Sequence, residues 1–325
     1  MTAATRRTLL GTGAALALAA PAALAFPERP LRIISGFNPG GANDIVSRAL
    51  AQPLTTVLGQ PVVVENRAGA GGGVGALAAA RAAPDGHTMF MGIVDTHAIN
   101  PLTYRNLPYD PVRDFAPVSH VATIPFAVVA GPSRPEITDF AKLVAAAKRA
   151  PGALSFGSWG VGSTAHLAFA RIAREAGAEL LHVPFTGQAP AMQAVAASQV
   201  DVMAVPAGGA EAMARDGRAR ILAVISPERL ELLPAAPTLR ELGVDLVIGL
   251  WQALYAPART PAPVVARLNA AAHEAMRAPS FAAAMRTQAA KPEPSTPEAL
   301  ASHQQAEREA YGPVVRALGI TVDGG

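Results

Sequence analysis

Short apolar runs alternate along the chain with longer stretches in which apolar residues recur at helical spacing. Runs rich in Val and Ile predict strands at 31–36, 61–65 and 88–93, and the helical spacing predicts helices over 44–58 and 75–83. Strands that alternate with helices are typical of a parallel sheet covered by helices. The first part of the chain therefore predicts an α/β unit.

A second series of the same kind follows residue 116. It opens with extended segments at 119–122 and 126–130. Three predicted helices follow at 139–149, 164–176 and 189–198, and four predicted strands at 154–157, 180–183, 200–205 and 221–225. The chain closes with an extended segment at 246–255 and two helices at 263–277 and 297–318. This series predicts a second α/β unit of ordinary domain size.

Two extended connections join the units, near 116–130 and near 245–256. Because no strand-helix alternation follows the second connection, the C-terminal helices are expected to return to the first unit. We therefore predict lobe 1 from residues 26–121 with 250–325, and lobe 2 from residues 122–249. Two extended linkers between α/β lobes indicate a hinge and a cleft that closes around a ligand.

Residues 1–25 differ from the rest and predict a cleaved signal peptide. Arg6 and Arg7 precede a short apolar stretch, which ends in the small-residue sequence Ala23-Leu24-Ala25. The apolar stretch is too short and too rich in Ala and Gly for a spanning helix. The paired arginines also resemble a twin-arginine export signal, so both export routes stay open. We expect a protein exported to the periplasm and cleaved near Ala25.

Composition excludes several classes of site. The chain has no cysteine, which excludes disulfides, thiolate metal sites and a lipid-carrying cysteine. The formal net charge is +3, and residues 1–25 contribute two arginines and no acid, so the exported part is near neutral. The sequence has no stripe of basic residues of the kind that predicts nucleic-acid binding. The seven histidines lack metal-binding spacing, so neither a metal nor a cofactor is expected.

A glycine-rich loop, Asn38–Asp44, joins the first predicted strand to the first helix. Gly40 and Gly41 allow a tight turn that brings backbone N–H groups close to a guest, and Asn43 or Asp44 can cap the helix. Helix N-termini attract anions through unpaired N–H groups and the helix dipole. The loop predicts an anion site, with an ordinary capped turn as the alternative.

The loop Gly157–His166 has the equivalent place in the second unit. It offers three glycines, three hydroxyls and the indole of Trp159, and the hydroxyl and indole groups can donate to a carboxylate. In open α/β sheets such loops border the ligand cleft. Two helix N-termini that favour anions therefore predict a small anionic ligand. The alternative for this loop is a flexible connection.

Two further segments invite other interpretations. The run Asn66–Gly75 matches a dinucleotide fingerprint only loosely and follows the second strand of its unit, so a tight turn supporting the cleft is the better interpretation. Asp95 and His97 could form a proton-transfer pair at a strand end, with Thr96 as a candidate hydrogen-bond donor. An exported α/β hydrolase or lyase acting through Ser158 or Ser163 is the alternative function, but the sequence identifies no base for either serine.

Many short motifs occur in a fixed order along the chain. They include Pro39-Gly40-Gly41-x-x-Asp44, Val64-Glu65-Asn66-Arg67-x-Gly69-Ala70-Gly71-Gly72, Pro84-Asp85-Gly86-His87-Thr88, Leu107-Pro108-Tyr109-Asp110-Pro111, Gly162-Ser163-x-x-His166-Leu167, His182-Val183-Pro184-Phe185-x-Gly187 and Gln199-Val200-Asp201. With these motifs the chain resembles the Bug family, the extracytoplasmic solute receptors of tripartite tricarboxylate transporters. The resemblance covers essentially all of residues 26–325.

The resemblance implies a two-lobed periplasmic-binding-protein fold of class α/β, each lobe a mainly parallel sheet flanked by helices, joined by two extended hinge strands. It implies a carboxylate held in the cleft by backbone N–H groups, hydroxyls and water, and a transporter or sensor in the membrane as partner. The candidate ligand-binding residues are Phe37, Pro39, Gly40, Gly41, Asn43, Asp44, Thr96, Ser158, Trp159, Gly162, Ser163, Thr164, Gly187 and Asp201.

The chain departs from the family pattern near the cleft. Thr186 stands where the family tends to carry a basic residue, and Trp159 adds a bulky aromatic to the second loop. The loss of a cation argues against a multiply charged acid such as citrate, and the indole favours an apolar or aromatic body, or a small monocarboxylate. We expect a monomeric, non-enzymatic receptor for a di- or tricarboxylate, an aromatic acid or another organic acid, serving uptake or sensing.

Overall fold

The computed structural model describes residues 26–323. The strands in this range share one sheet: β1 (Leu31–Ser35), β2 (Val62–Asn66), β3 (Thr88–Ile93), β4 (Phe115–Ala130), β5 (Ser155–Ser158), β6 (Leu181–Pro184), β7 (Val202–Pro206), β8 (Arg220–Ile225), β9 (Gly249–Pro257) and β10 (Lys291–Pro292). The helices are α1 (Ala42–Leu58), α2 (Gly73–Ala80), α3 (Asn100–Thr103), α4 (Phe140–Arg149), α5 (Thr164–Ala176), α6 (Gln188–Ala196), α7 (Ala207–Arg215), α8 (Ala262–Met276), α9 (Pro279–Thr287) and α10 (Pro297–Leu318).

Local sequence explains where several helices begin and end. The side chains of Asp139, Ser163 and Thr296 accept hydrogen bonds from backbone N–H groups at the starts of α4, α5 and α10. Gly59 and Gly177 follow α1 and α5 with φ of +68° and +61°, a left-handed conformation that suits glycine. The sequence predicted these bounds well because capping chemistry is local.

Lobe 1 is built on β2, β1 and β3, which are parallel and adjacent in that order. Every residue of β3 is buried, as expected for a central strand covered by helices on both faces. β9 runs antiparallel to β3 on the other side. The carboxyl ends of β1 and β3 therefore lie at one edge of lobe 1.

β4 belongs to both halves of the molecule. Its residues Phe115–Pro125 pair antiparallel with β9, whereas Phe126–Ala130 pair antiparallel with β7 and β8. We call lobe 2 the part built on β5 to β8 and the end of β4, and lobe 1 the remainder. The pairing changes between Pro125 and Phe126, a little beyond the boundary predicted at 121/122. β9 begins at Gly249, where the chain returns to lobe 1.

The C-terminal helices α8 and α10 pack on lobe 1. Asn269 of α8 donates from Nδ2 to the carbonyl of Val118 in β4 at 2.7 Å. The hydroxyl of Tyr255 in β9 donates to Oε1 of Gln304 in α10 at 3.2 Å. Within the described residues, no helix has both the length and the apolar character needed to cross a membrane. The predicted signal peptide lies outside these residues.

The predicted α/β class with two extended hinge strands is confirmed, and the hinge strands make the sheet mixed rather than purely parallel. Two predicted strands are in fact one strand, β4. Proline cannot donate to a ladder, and β4 passes Pro117 at an irregularity in its register with β9. The helices α7 and α9 were not predicted, and Gly208 and Gly209 explain the first omission because glycine disfavours helix.

Candidate ligand-binding cleft

Loops of the two lobes meet at the carboxyl ends of the parallel strands. Asn38, after β1, donates from Nδ2 to the carbonyl of Thr186 at 3.4 Å. The N–H of Ala42, the first residue of α1, donates to Oε1 of Gln188 at 3.1 Å. Thr186 and Gln188 belong to lobe 2, so both contacts join the lobes. The cleft is bordered on one side by the loop between β1 and α1.

Asn43 anchors that loop to the sheet of lobe 1. Its Oδ1 accepts from the hydroxyl of Ser35 at 2.6 Å, and its Nδ2 donates to the carbonyl of Met91 at 3.1 Å and to Oε1 of Gln252 at 3.2 Å. These partners lie in β1, β3 and β9. Because the Asn43 side chain is buried and fully engaged, it fixes the start of α1 relative to three strands.

Asp44 stabilises the same loop through the hydrogen bonds of its carboxylate. Its carboxylate accepts from the N–H of Gly40 at 3.0 Å, from Nε of Arg48 at 3.0 Å and from Nδ2 of Asn66 at 2.9 Å. Burial tends to raise the pKa of Asp44, but these bonds outweigh it and the pKa lies below its ordinary value. In this structure the oxygens of Asp44 are engaged within lobe 1.

Lobe 2 contributes the loop between β5 and α5. The hydroxyl of Ser163 accepts from the N–H of His166 at 3.3 Å and so caps α5. The N–H of Thr164, the first residue of α5, donates to Oδ1 of Asp95 at 2.9 Å, and the Thr164 hydroxyl donates to the same oxygen. The start of α5 is therefore bound to a carboxylate, as its chemistry predicts, but the carboxylate belongs to lobe 1.

Asp95 lies on a helical turn, Asp95–Ile99, that follows β3. Its side chain is buried, and its Oδ2 accepts from Nε1 of Trp159 at 2.6 Å. Burial raises the pKa of Asp95, opposed by the hydrogen bonds from Thr164 and Trp159. The two side-chain oxygens of Asp95 thus accept three hydrogen bonds from lobe 2.

A narrow gap remains between the lobes, with room for about one water molecule. Its walls combine apolar side chains with amide groups, and none of the residues described as lining it is charged: Phe37, Asn38, Gly41, Ala42, Asn43, Ile93, Trp159, Gln188 and Leu250. A solute of several carbon atoms fits here only when the lobes move apart. Pro39 and Gly40 are exposed and lie outside this lining.

Two predicted glycines allow the lobes to approach closely. A Cβ on Gly162 would lie 3.2 Å from the side chain of Thr103 in lobe 1, and Gly162 has φ of +77°. A Cβ on Gly187 would lie 2.6 Å from Nδ2 of Asn38. The role of these glycines is to bring the two walls of the cleft together.

The glycines of the Asn66–Gly75 run serve backbone packing. A Cβ on Gly75 would lie 2.7 Å from Cα of Gly36, and a Cβ on Gly36 would lie 2.8 Å from the carbonyl oxygen of Gly72. The start of α2 therefore packs directly against the segment that follows β1. This contact supports the β1–α1 loop and accounts for the glycines without a dinucleotide.

Ser158 has a histidine partner that the sequence did not reveal. Its Oγ lies 2.7 Å from Nε2 of His182 and 2.9 Å from the carbonyl oxygen of Gly160. The rings of His182 and His166 stack at 3.7 Å, and desolvation, with His166 nearby, lowers the pKa of His182 to about 3. Ser158 is completely buried within lobe 2.

Asp201 lies at the wrong end of the sheet for a ligand contact. It directly precedes β7, whereas the cleft borders the carboxyl ends of the parallel strands. Its carboxylate accepts from Nε of Arg134 at 2.8 Å, from the N–H of Ser155 at 2.8 Å and from the hydroxyl of Ser133 at 3.1 Å. Asp201 therefore joins segments of lobe 2 remote from the cleft.

Thr96 and His97 are also separated from the cleft. The Thr96 hydroxyl donates to the carbonyl of Ile93 at 3.1 Å and contacts Nδ1 of His97 at 2.9 Å. His97 stacks on Tyr255 with 3.8 Å between ring centroids. The predicted strand geometry is wrong here: the residues form a helical turn, so Asp95 faces lobe 2 whereas His97 packs into lobe 1.

Three residues that line the gap were not predicted from the sequence: Gln188, Ile93 and Leu250. Gln188 follows the motif glycine Gly187 and begins α6, which is a signal that could have identified it. Ile93 and Leu250 resemble ordinary core residues because they lie on β3 and β9. In residues 26–323, no group of three or more His, Cys, Asp or Glu side chains is arranged to hold a metal ion.

A known protein family and several known proteins are similar to this chain. The model of the tripartite tricarboxylate transporter family receptor matches residues 46–320. A UPF0065 protein from the tcbD-tcbE intergenic region of Pseudomonas sp. strain P51 is 36% identical over 313 residues, which are 94% of this chain and 92% of the relative. BugT of Bordetella pertussis is 34% identical over 307 residues, 93% of each chain.

Solved structures share the fold. Rpa4515 of R. palustris, determined with adipate, has a TM-score of 0.87 at 31% identity, covering 91% of this chain and 99% of that protein. MatC of Rhodopseudomonas palustris, determined with bound malate, has a TM-score of 0.83 at 32% identity, covering 89% of this chain and 100% of that protein. The resemblance to Bug receptors is thereby confirmed over nearly the whole described chain.

Proposed function

The chain belongs to the tripartite tricarboxylate transporter receptor family, and we propose that its solute is a small organic acid, captured between the lobes without being chemically changed. The observation that carries this proposal is the pair of loops that face each other across the cleft, in lobes joined by two hinge strands. Ala42 at the start of α1 meets Gln188 at the start of α6 across the cleft. The adipate and malate bound by similar proteins support an acid as the solute.

The cleft supplies neutral donors for such an acid. The lining amides of Asn38 and Gln188 adjoin the start of α1, where the helix dipole favours an anion. Phe37, Trp159 and Leu250 provide apolar walls for the body of the solute. A few placed polar groups in an apolar cleft are typical of small-molecule sites. The remaining candidate residues at the cleft are Gly41, Asn43, Gly162, Thr164 and Gly187.

We also propose that the protein does not catalyse a reaction of its solute. The Ser158–His182 contact has the distance of a nucleophile and base, but Ser158 has no exposed surface and also contacts the carbonyl of Gly160. A solute in the gap would meet Trp159 rather than this hydroxyl. The family of transport receptors supports binding, and a hydrolase has no support from these comparisons.

Location and partner follow from the same family. We propose export to the periplasm, cleavage near Ala25, and delivery of the solute to a membrane transporter or sensor by a monomer. Expression in a bacterium and N-terminal sequencing of the periplasmic protein test the first step. A chain that begins at Phe26 is the expected result. A chain that keeps Arg6 and Arg7 and remains in the cytoplasm would contradict export.

Solute capture is tested by thermal shift against mono-, di- and tricarboxylates, aromatic acids and amino acids, followed by calorimetry. A solute at about 100-fold over its dissociation constant should stabilise the protein by about 2.7 kcal/mol. We expect saturable one-to-one binding with the acid recovered unchanged by chromatography. Binding confined to non-acids would overturn the proposed solute class, and consumption of the acid would overturn the receptor interpretation.

A further inference from the structure

Asp95 occupies the donor set that the sequence predicts for the carboxylate of a solute. The donors are the N–H and hydroxyl of Thr164 at the start of α5 and the indole N–H of Trp159. All three come from lobe 2, and Asp95 comes from lobe 1. Its side chain is 1% exposed, so little solvent competes for these donors.

The three donors all bind the same carboxylate, so little hydrogen-bonding capacity is left for a solute. Oδ1 of Asp95 takes both bonds from Thr164, and Oδ2 takes the bond from Trp159. A solute carboxylate can bind the same donors only by displacing Asp95. It would also bring a second negative charge against a buried carboxyl, and like charges at close range oppose ionisation of both groups.

Trp159 connects this buried carboxyl with the cleft. Its indole lines the gap together with Ile93 and Leu250, while its N–H points to Asp95. Trp159 thus presents its apolar ring to the gap and its N–H to Asp95. The amides of Asn38 and Gln188, beside the start of α1, line the same gap.

We propose that Asp95 is a specificity-determining residue that takes the place of one solute carboxylate. The protein then selects acids with a single carboxylate, held at the start of α1, and an apolar end that faces Trp159. It discriminates against dicarboxylates. This inference rests on the proposed function, because it concerns the same cleft and the same solute.

Hexanoate and adipate make a matched pair of probes, because they have the same chain length and differ by one terminal carboxylate. Calorimetry on the wild type should show hexanoate binding about tenfold or more tightly than adipate. In Asp95→Ala the donors of Thr164 and Trp159 become free for a solute. The ratio of the two affinities should then move by about tenfold or more toward adipate.

Two further variants separate occupancy from charge and from general effects. Asp95→Asn removes the charge but keeps the space filled, so it should leave adipate disfavoured relative to Asp95→Ala. Asp245→Ala removes an exposed carboxylate of lobe 2, which pairs with Arg240 at 2.7 Å, and should not change the ratio. Circular dichroism establishes that each variant is folded.

The outcomes are distinct for the two proposals. A wild type that binds adipate more tightly than hexanoate overturns the role of Asp95, and this holds even if Asp95→Ala does not fold. An unchanged ratio in folded Asp95→Ala overturns it as well. If neither acid binds wild type or variant, and the wider acid screen also finds no solute, both proposals fail. If the screen finds another acid instead, a di- or tricarboxylate as the tightest ligand rejects only the selectivity inferred here, whereas a monocarboxylate with an apolar end supports it.

Discussion

At the scale of single residues, the inter-lobe contacts are made by side chains whose partners cannot be identified from the neighbouring sequence. Asp95 and Trp159 are 64 positions apart and meet only because the lobes face each other. Periodicity reports on neighbours in sequence, so it predicted the helix over 164–176 but not the partner of Thr164. The sequence predicted that this helix start binds the anion of a ligand, and in the structure Asp95 of lobe 1 binds there.

Gln188 provides a test of the cleft at this scale. Its Oε1 accepts from the N–H of Ala42, the inter-lobe bond at the start of α1. A neutral hydrogen bond contributes about 0.5–1.5 kcal/mol. Gln188→Ala should therefore weaken binding of the acid found in the screen by about twofold to tenfold. Calorimetry measures the change.

Gln193→Ala is the matched control for Gln188→Ala. Gln193 lies on the same helix, α6, and is exposed. It should bind the acid as the wild type does. Equal affinity of Gln188→Ala and Gln193→Ala would show that the contact between α1 and α6 does not contribute to solute capture.

At the scale of elements, the sequence identified most strands and helices because apolar runs and caps are local signals. β3 and α10 were predicted at their observed bounds. The omission of α7 has a tertiary cause. A Cβ on Gly208 would lie 2.6 Å from the carbonyl oxygen of Thr287, so close packing on α9 requires a residue that local propensity disfavours.

Packing between the hinge strands gives a second prediction. A Cβ on Gly249 in β9 would lie 2.6 Å from Cγ2 of Thr123 in β4. Gly249→Ala should lower the free energy of unfolding by about 1–3 kcal/mol, the usual range for overpacking. Urea unfolding monitored by circular dichroism provides the measurement.

The combined variant with Thr123→Ser identifies the cause. Serine lacks Cγ2 but keeps the hydroxyl that donates to Oε2 of Glu293 at 2.7 Å. The double variant should recover most of the loss caused by Gly249→Ala. If the two effects simply add, the contact between Gly249 and Thr123 is not the source of the destabilisation.

At the scale of the whole molecule, buried histidines make stability depend on pH. Desolvation lowers the folded pKa of His97 to about 3 and that of His166 to about 4. In the unfolded chain a histidine titrates near about 6.5. Between these values the unfolded state binds protons that the folded state does not. The contribution is fully present above about pH 6.5 and is lost as the pH falls toward the folded pKa values.

His97→Phe tests this dependence on a completely buried ring. The wild-type free energy of unfolding should fall from about pH 6.5 toward pH 4, and the variant should lose less, by about 1.4 kcal/mol per pH unit for one proton. The raised pKa of Asp95 acts in the opposite direction, since acidification relieves the cost of its buried charge. Urea titrations at several pH values give the measurement. If the free energy of unfolding changes with pH by the same amount in both proteins, His97 does not contribute.

The shared strand β4 has a mechanical consequence for the receptor. Both lobes are hydrogen-bonded to one continuous backbone, and β9 runs beside it over the lobe 1 part. Any change in the angle between the lobes must therefore alter the backbone near Pro125 and Phe126, where β4 passes from β9 to β7 and β8. The cleft then opens by rotation of one lobe against the other about this junction.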